Sequence, residues 1–438
     1  MMEPLKIVKM AECSQKEREL LLKRSELEVD MNILRVIKIV SDVRRDKDKA
    51  LLDFTEKFDG VKLRADEIRA TEGEICLACE QLGGEKVKAI EKAAEAIRKF
   101  HLKQLPKGWM KQLSPGVKAG QIVRPLESVG VYVPGGLARY PSTLLMAAVP
   151  AKVAGVEKVI VCTPPGNDGK VDSAVLVAAK VAGVEAVFKV GGAQAIAAMA
   201  YGTETVPKVD KIVGPGNVYV VAAKQVVAPN VSTDFAAGPT EVLIIADSSA
   251  DPRFIAVDLV SQAEHDTDAA AILVTTSEEL ALKVREAARE MVKENPRWEV
   301  VLNSLTRYGR VVVVKSMEEA VKFSNAYAPE HLELMVKRPK ALLKQIKNAG
   351  SIFLGSYSPV SAGDLAVGPN HILPTGGAAR WRSGLSVLDF VKIPTVQELS
   401  KDGLRQVADV VKAMAEMEGL PGHAKSVEER LKEGKDGR

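Results

Sequence analysis

A glutamate and a histidine stand side by side in the stretch Asn325-Ala326-Tyr327-Ala328-Pro329-Glu330-His331-Leu332-Glu333-Leu334. Both side chains can move protons at ordinary pH. Pro329 disfavours continuation of any helix before it, and His331 to Val336 reads as a strand. The pair therefore sits at a loop-to-strand junction, where α/β proteins place site residues. Adjacent Glu-His pairs also occur on plain surfaces, so this one gains meaning only from its surroundings.

The chain has five histidines, His101, His265, His331, His371 and His423. In Gln262-Ala263-Glu264-His265, at the end of a helical segment, Gln262 and His265 are spaced i and i+3 and share a face. Asp364 follows Gly363 in a Gly-rich loop, Gly368-Pro369-Asn370-His371 comes shortly after, and His423 follows Pro421-Gly422. Imidazole, carboxylate and amide oxygen together suit a zinc-like ion with room for a substrate. Each fragment alone also suits a structural role, and spacing does not show that they converge. Cys13, Cys76, Cys79 and Cys162 make no disulfide framework in a chain this long. Cys76 and Cys79 form a lone C-x-x-C in a helical segment, read as filler, and Cys162 ends an apolar run as a buried strand cysteine.

At 438 residues the chain exceeds one ordinary core, so about two to four domains are expected. Hydrophobic residues at 46% and charged residues at 27% give a soluble globular balance. The net charge of +4, with both signs interleaved along helices, fits solvated faces rather than a nucleic-acid groove. No window approaches the ~20 apolar residues of a membrane span, and Met1 to Asp30 lacks a signal-peptide core. A cytoplasmic enzyme without nucleic-acid or membrane partners is expected.

Residues 1–30 read as a charged helical arm, and helices dominate from there to Pro125. At Val129 the character changes to strand-like Val129-Gly130-Val131-Tyr132-Val133, broken by Pro134-Gly135-Gly136. The segment Ala151 to Glu157 recurs unchanged as Ala179 to Glu185, each copy ending a helix at its Gly and leading into an apolar strand. Consecutive βα units imply a parallel sheet with covering helices, here a Rossmann-like domain over 129–239. No G-x-G-x-x-G separates a strand from a helix. Instead Pro134-Gly135-Gly136, Gly191-Gly192 and Gly214-Pro215-Gly216 end strands, where backbone can approach a nucleotide or simply turn. The alternation resumes over 240–385, a second α/β domain that includes 31–128 as its first part. Residues 386–438 read as amphipathic helices, Val396 to Glu418 among them, that must pack on another surface. The fold class is α/β: two Rossmann-like parallel-sheet domains with small helical N- and C-terminal arms.

Several of these stretches resemble the histidinol dehydrogenase family. They are Val131 to Gly136, Lys189-Val190-Gly191-Gly192-Ala193-Gln194-Ala195-Ile196-Ala197, Val213 to Asn217, and Ala237-Gly238-Pro239-Thr240-Glu241-Val242. Ser261 to His265, Tyr327 to Leu332, and Gly368-Pro369-Asn370-His371-Ile372-Leu373-Pro374-Thr375 complete the set. They cover nearly the whole chain, in order and with the family's spacings; His101 has no part in them.

The resemblance implies a zinc-dependent, four-electron oxidation of L-histidinol through L-histidinal to L-histidine, with two NAD used in turn. It assigns one zinc per subunit to Gln262, His265, Asp364 and His423. His423 would come from the partner in a homodimer whose active site is shared between subunits. Glu330 would be the base that activates water, and His331 the proton shuttle. Substrate contacts would be Thr240, Gln262, His265, His331, Asp364, Glu418 and His423. NAD contacts would be Tyr132, Gln194 and Asn217, and His371 would support the site from beside it. Thr240 stands where many relatives carry Ser. The absence of cysteine from the site motifs independently favours a hydrated aldehyde over a thiol adduct. Rival readings are a dehydrogenase of another polyol, such as a sulfopropanediol, a zinc hydrolase, and a non-catalytic metal-binding protein. Glu418 disfavours an anionic substrate, and no H-E-x-x-H is present.

Overall fold

The duplicated helix–Gly–strand segment folds into adjacent βα units. Gly155 (φ 93°) and Gly183 (φ 71°) end the helices Pro141–Ala154 and Ser173–Ala182 in the left-handed conformation that glycine adopts without a Cβ clash. The computed structural model describes residues 4–24, 29–135, 140–235 and 238–432. Gly136 of the first Gly-rich end and Ala237 of a later motif lie outside them.

A five-stranded, all-parallel sheet runs in the order Ala186–Lys189, Lys158–Thr163, Ser128–Tyr132, Lys211–Val213, Ser232–Thr233. Its direction of growth reverses between Ser128–Tyr132 and Lys211–Val213, so a crevice opens at their carboxyl ends. Apart from the edge strand Ser232–Thr233 the strands are mostly apolar and buried, and helices Pro141–Ala154 and Gly192–Tyr201 are buried over most of their length, as a covered parallel sheet requires. The long helix Val29–Asp59, broken at Lys47 (φ 55°), packs against the helices Gly192–Tyr201 and Val218–Val227 of this layer.

The second sheet has six parallel strands in the order Lys6–Lys9, Arg310–Val313, Ala270–Thr275, Glu241–Ala246, His331–Met335, Ser351–Leu354. Its reversal lies between Glu241–Ala246 and His331–Met335, both buried along their full length. Helix Pro252–Ala263 returns from the carboxyl end of Glu241–Ala246 to the amino edge of the sheet. Both sheets lie in one compact unit, residues 1–104 and 126–390.

A second unit comprises residues 105–125 and 391–438. Strands Trp109–Ser114, Val117–Gln121 and Thr395–Leu399 form an antiparallel sheet, and Arg124–Pro125 pairs with Val391–Lys392. Helices Lys401–Met417 and Pro421–Leu431 follow. Two local expectations are corrected. Lys6–Lys9, expected within a helical arm, is an edge strand, because Ile7 and Val8 find a parallel partner in Val311 and Val312. Val396 to Leu399, expected to open a helix, pairs with Val117–Gly120, and the helix begins only after the Ser400 cap. Among the described residues no helix is long and apolar enough to cross a membrane.

The Gly214 turn is clamped on both sides. Asp234 accepts the Gly214 N–H at 2.7 Å, while Lys224 donates to the Gly214 carbonyl and pairs with Asp234. Lys224 and Asp234 side chains are 6% and 2% exposed, so either one alone would be a buried, unanswered charge. Lys224→Met is expected to cost about 3 kcal/mol, measured by urea unfolding; a loss near that of an ordinary surface substitution would contradict the clamp.

Candidate active site

The amino edge of the six-stranded sheet is where the chemistry gathers. Helix Met317–Tyr327 ends at Ala328, held left-handed at φ 52° with its N–H donating to the Ser324 carbonyl. Pro329 blocks further helix, and the next residues enter the central strand, with His331 opposite Val242. Glu330 and His331 are thereby buried at 6% and 2% exposure.

Glu330 is held by short bonds. Its Oε2 accepts from the Thr240 hydroxyl at 2.6 Å and from the Glu241 N–H at 2.8 Å. Gln262 Nε2 donates to Thr240 Oγ1 at 2.6 Å, which turns the hydroxyl proton toward Glu330. Oε1 lies outside these bonds. Thr240 can therefore only accept from a bound substrate, such as an ammonium or hydroxyl group.

His331 Nδ1 lies 3.1 Å from the Glu241 carbonyl and 3.4 Å from Glu330 Oε2. Nε2 is 3.4 Å from Asp364 Oδ1 without hydrogen-bond alignment, and it has no hydrogen-bond partner among the described residues. Burial opposes the charged ring, but the Glu330 and Asp364 carboxylates outweigh it and hold His331 well above the usual imidazole range. Asp364 is pushed up by burial, yet His331, and then His371 and His265, bring it below the ordinary carboxylate value.

Asp364 lies in a wide turn, Gly363–Val367, stitched by the His371 ring, whose Nδ1 is 2.9 Å from the Asp364 carbonyl. Burial lowers His371, and its Nε2 lies 3.4 Å from Thr143 Oγ1. His265, just past helix Pro252–Ala263, places Nδ1 at 3.1 and 3.2 Å from the Ser261 and Gln262 carbonyls. A proton on Nδ1 leaves Nε2 as a bare donor for a metal or ligand. Thr240, Gln262, Glu330, His331, Asp364 and His371 are thus linked by contacts, with His265 within electrostatic reach of Asp364.

Glu418 and His423 are exposed residues of the second unit, at the end of helix Lys401–Met417 and within helix Pro421–Leu431. Among the described residues no three His, Cys, Asp or Glu side chains are placed to hold a metal ion. In the first unit, the expected ligand set supplies only His265 and Asp364 of those types, beside the Gln262 amide. Its fit to zinc therefore rests on donor chemistry: a free imidazole nitrogen, a carboxylate and an amide oxygen.

Arg24 is a site residue that sequence spacing did not reveal. It pairs with Glu241 at 2.6 Å, donates to the Tyr327 carbonyl, and sits 3.6 Å from the centre of the Tyr327 ring. Glu241 also accepts the Gly376 N–H at 2.6 Å. Burial still raises Glu241 above the usual range; Arg24 opposes that and Glu330 adds to it.

A separate cavity of about 1750 Å³ opens at the carboxyl ends of the five-stranded sheet, lined by Tyr132, Gln194, Asn217 and Asp59. Added Cβ atoms on Gly135 or Gly191 would collide with Pro164, so the Gly-rich ends are close approaches of backbone to side chain. Gly192 N–H donates to Tyr132 Oη at 3.0 Å, and Asn217 Oδ1 caps helix Val218–Val227. Two buried polar atoms of lining residues, Gln194 Nε2 and Asp59 Oδ2, have no partner among the described residues. Such atoms mark a place for a ligand with both acceptors and hydroxyl donors. Cys162 is fully buried and its thiol is pushed up by burial, which makes it unreactive.

Comparison with known proteins places these motifs in context. Residues 22–431 match the family model described as histidinol dehydrogenase. A histidinol dehydrogenase of Methanothermobacter thermautotrophicus is 51% identical over 98% of this chain and 100% of its own length. One from Synechococcus is 51% identical over 90% of each chain. A crystal structure of histidinol dehydrogenase from Elizabethkingia anophelis superposes with a TM-score of 0.94 at 40% identity, covering 98% of both chains.

The unpartnered Asp59 has a measurable consequence. Burial pushes it up to about 6 from 3.8, so folding takes up a proton between those values. The stabilisation is complete below the unfolded value and is lost as pH rises through the folded one. Asp59→Asn should therefore raise the melting temperature more at about pH 8 than at about pH 4. Equal shifts at the two pH values would contradict this reading.

Proposed function

The chain belongs to the histidinol dehydrogenase family, and we propose that it oxidises L-histidinol through L-histidinal to L-histidine with two NAD. It is an oxidoreductase of histidine biosynthesis. The observation that carries the proposal is the oriented Glu330 carboxylate, held by Thr240 and Glu241 beside a His331 ring with a free Nε2.

In the first oxidation His331 accepts the alcohol proton as hydride leaves the carbinol carbon for NAD. The carboxylates around His331 favour its protonated form; a cation held by Asp364 would offset part of that field. In the second, Glu330 takes a proton from water as the water oxygen adds to the aldehyde carbon, and the aldehyde oxygen takes back the proton that His331 gained, which gives the hydrate and restores His331 as a base. The hydrate then loses hydride to the second NAD and a hydroxyl proton to His331, leaving the acid. Pinning Oε2 with two donors fixes the direction in which Glu330 can receive a proton.

Gln262, His265 and Asp364, with His423 of the partner subunit, would hold one zinc per subunit. A bound zinc ion would supply Lewis-acid polarisation and orientation of the substrate alcohol. Glu418 of the partner subunit and Thr240 would contact the substrate. NAD would occupy the five-stranded sheet's cavity against Tyr132, Gln194 and Asn217, where the orphaned Gln194 amide lacks a partner. Exposed Val410, Met414 and Met417 recur along one side of helix Lys401–Met417, which supports docking of the second unit on another subunit in a cytoplasmic homodimer.

Glu330→Gln should slow oxidation of L-histidinal by about 100-fold or more, since only hydration needs the base. Oxidation of L-histidinol should fall far less in single-turnover assays; equal losses would overturn the assignment. Separately inactive His423→Ala and Glu330→Gln chains, mixed and reassembled, should recover about a quarter of parental activity, because half the dimers then hold one intact site. No recovery would contradict a ligand shared across the dimer.

A further inference from the structure

We infer that Asp258 and Glu333 form a positioning clamp that sets the spacing of the three elements bearing Gln262, His331 and Asp364. The inference rests on the site reading above and adds two residues to which that reading gives no role.

Glu333 lies two residues beyond His331 on strand His331–Met335, hence on the same face, and is 1% exposed. Its Oε1 accepts the Val360 N–H at 2.9 Å. Val360 opens the short helix Val360–Ala362 that runs directly into the turn carrying Asp364. The Glu333 carboxyl also lies beside that of Asp258, close enough for the charge of Asp258 to add to the burial that raises Glu333. Asp258 stands one helical turn before Gln262 on helix Pro252–Ala263, so the two share a face. One pair of carboxyls thus touches the helix of Gln262 and His265, the strand of His331 and the segment of Asp364.

Glu333 Oε2 has no hydrogen-bond partner among the described residues. Two carboxyls in contact under such burial are satisfied when one proton lies between them, which leaves a hydrogen-bonded pair of low charge. An apolar residue at either position would be easier to bury. What the pair provides instead is direction: a bond to one backbone N–H at the root of the Asp364 segment, and a carboxyl set against one helix face. A shift at Val360 passes through a few residues to Asp364, and sub-ångström placement of a ligand governs both metal retention and catalysis.

The test uses full-length Glu333→Gln and Glu333→Ala proteins. Gln keeps an oxygen for the Val360 N–H and supplies an N–H to Asp258, as a protonated Glu does. Zinc retained after dialysis against a fixed chelator is measured together with KM for L-histidinol and for NAD. Glu333→Gln should match the parent within about threefold in all three. Glu333→Ala should lose zinc about tenfold more readily and raise KM for L-histidinol by a similar factor, with KM for NAD unchanged. If Glu333→Ala does not fold, Asp258→Ala is expected to give the same pattern. The clamp is overturned if Gln behaves as Ala does, or if Ala variants keep parental zinc retention and L-histidinol KM. A parent protein that binds no zinc would instead overturn the metal reading, and the split between the two KM values would still decide the clamp.

Discussion

Two glutamates, Glu241 and Glu330, are buried beside each other where neighbouring parallel strands begin, and everything at the site adapts to their charge. Arg24 answers Glu241 at 2.6 Å, while the Thr240 hydroxyl and a backbone N–H answer Glu330. Burial and the Glu330 charge raise Glu241, and the Glu330 and Asp364 charges raise His331. A cation among Gln262, His265 and Asp364 would relieve this concentration of negative charge, which is the physical reason the polar groups here read as a metal and proton-transfer site.

The two sheets use opposite edges. The five-stranded sheet opens its cavity at the carboxyl ends of the strands, beside its reversal point, as open α/β sheets commonly do. The six-stranded sheet instead places Glu330 and His331 at its amino edge. The helix Pro252–Ala263 and the Gly363–Val367 turn come back to that edge, so returning elements, rather than strand ends alone, bring Gln262 to Thr240 beside Glu330 and Asp364 to His331. Helix ends and turns are more easily displaced than paired strands, which makes buried ties such as the Glu333 carboxylate to the Val360 N–H consequential.

Much of the architecture was legible because local signals agree with one another. The repeated Ala151 to Glu157 segment, with its C-cap glycines, announced the parallel sheet, and strands Glu241–Ala246 and Ser351–Leu354 were readable from apolar runs. Lys6–Lys9 and Thr395–Leu399 were not, since each is a strand by virtue of a partner roughly 300 residues away in sequence. At the site, the Glu330-His331 pair stood out by residue type alone, while the ligands proposed beside it were drawn from the family motifs. Arg24, Asp59, Asp258 and Glu333 escaped notice because charged residues are common on helices and in loops. Only burial, or a partner distant in sequence, distinguishes them.

The most direct test of the account is the yield of NADH per molecule of L-histidinol, measured with zinc present and again after removal by a chelator. The account predicts two NADH per L-histidinol with zinc and loss of the reaction without it, restored when zinc returns. A yield of one NADH, or turnover indifferent to the chelator, would contradict it.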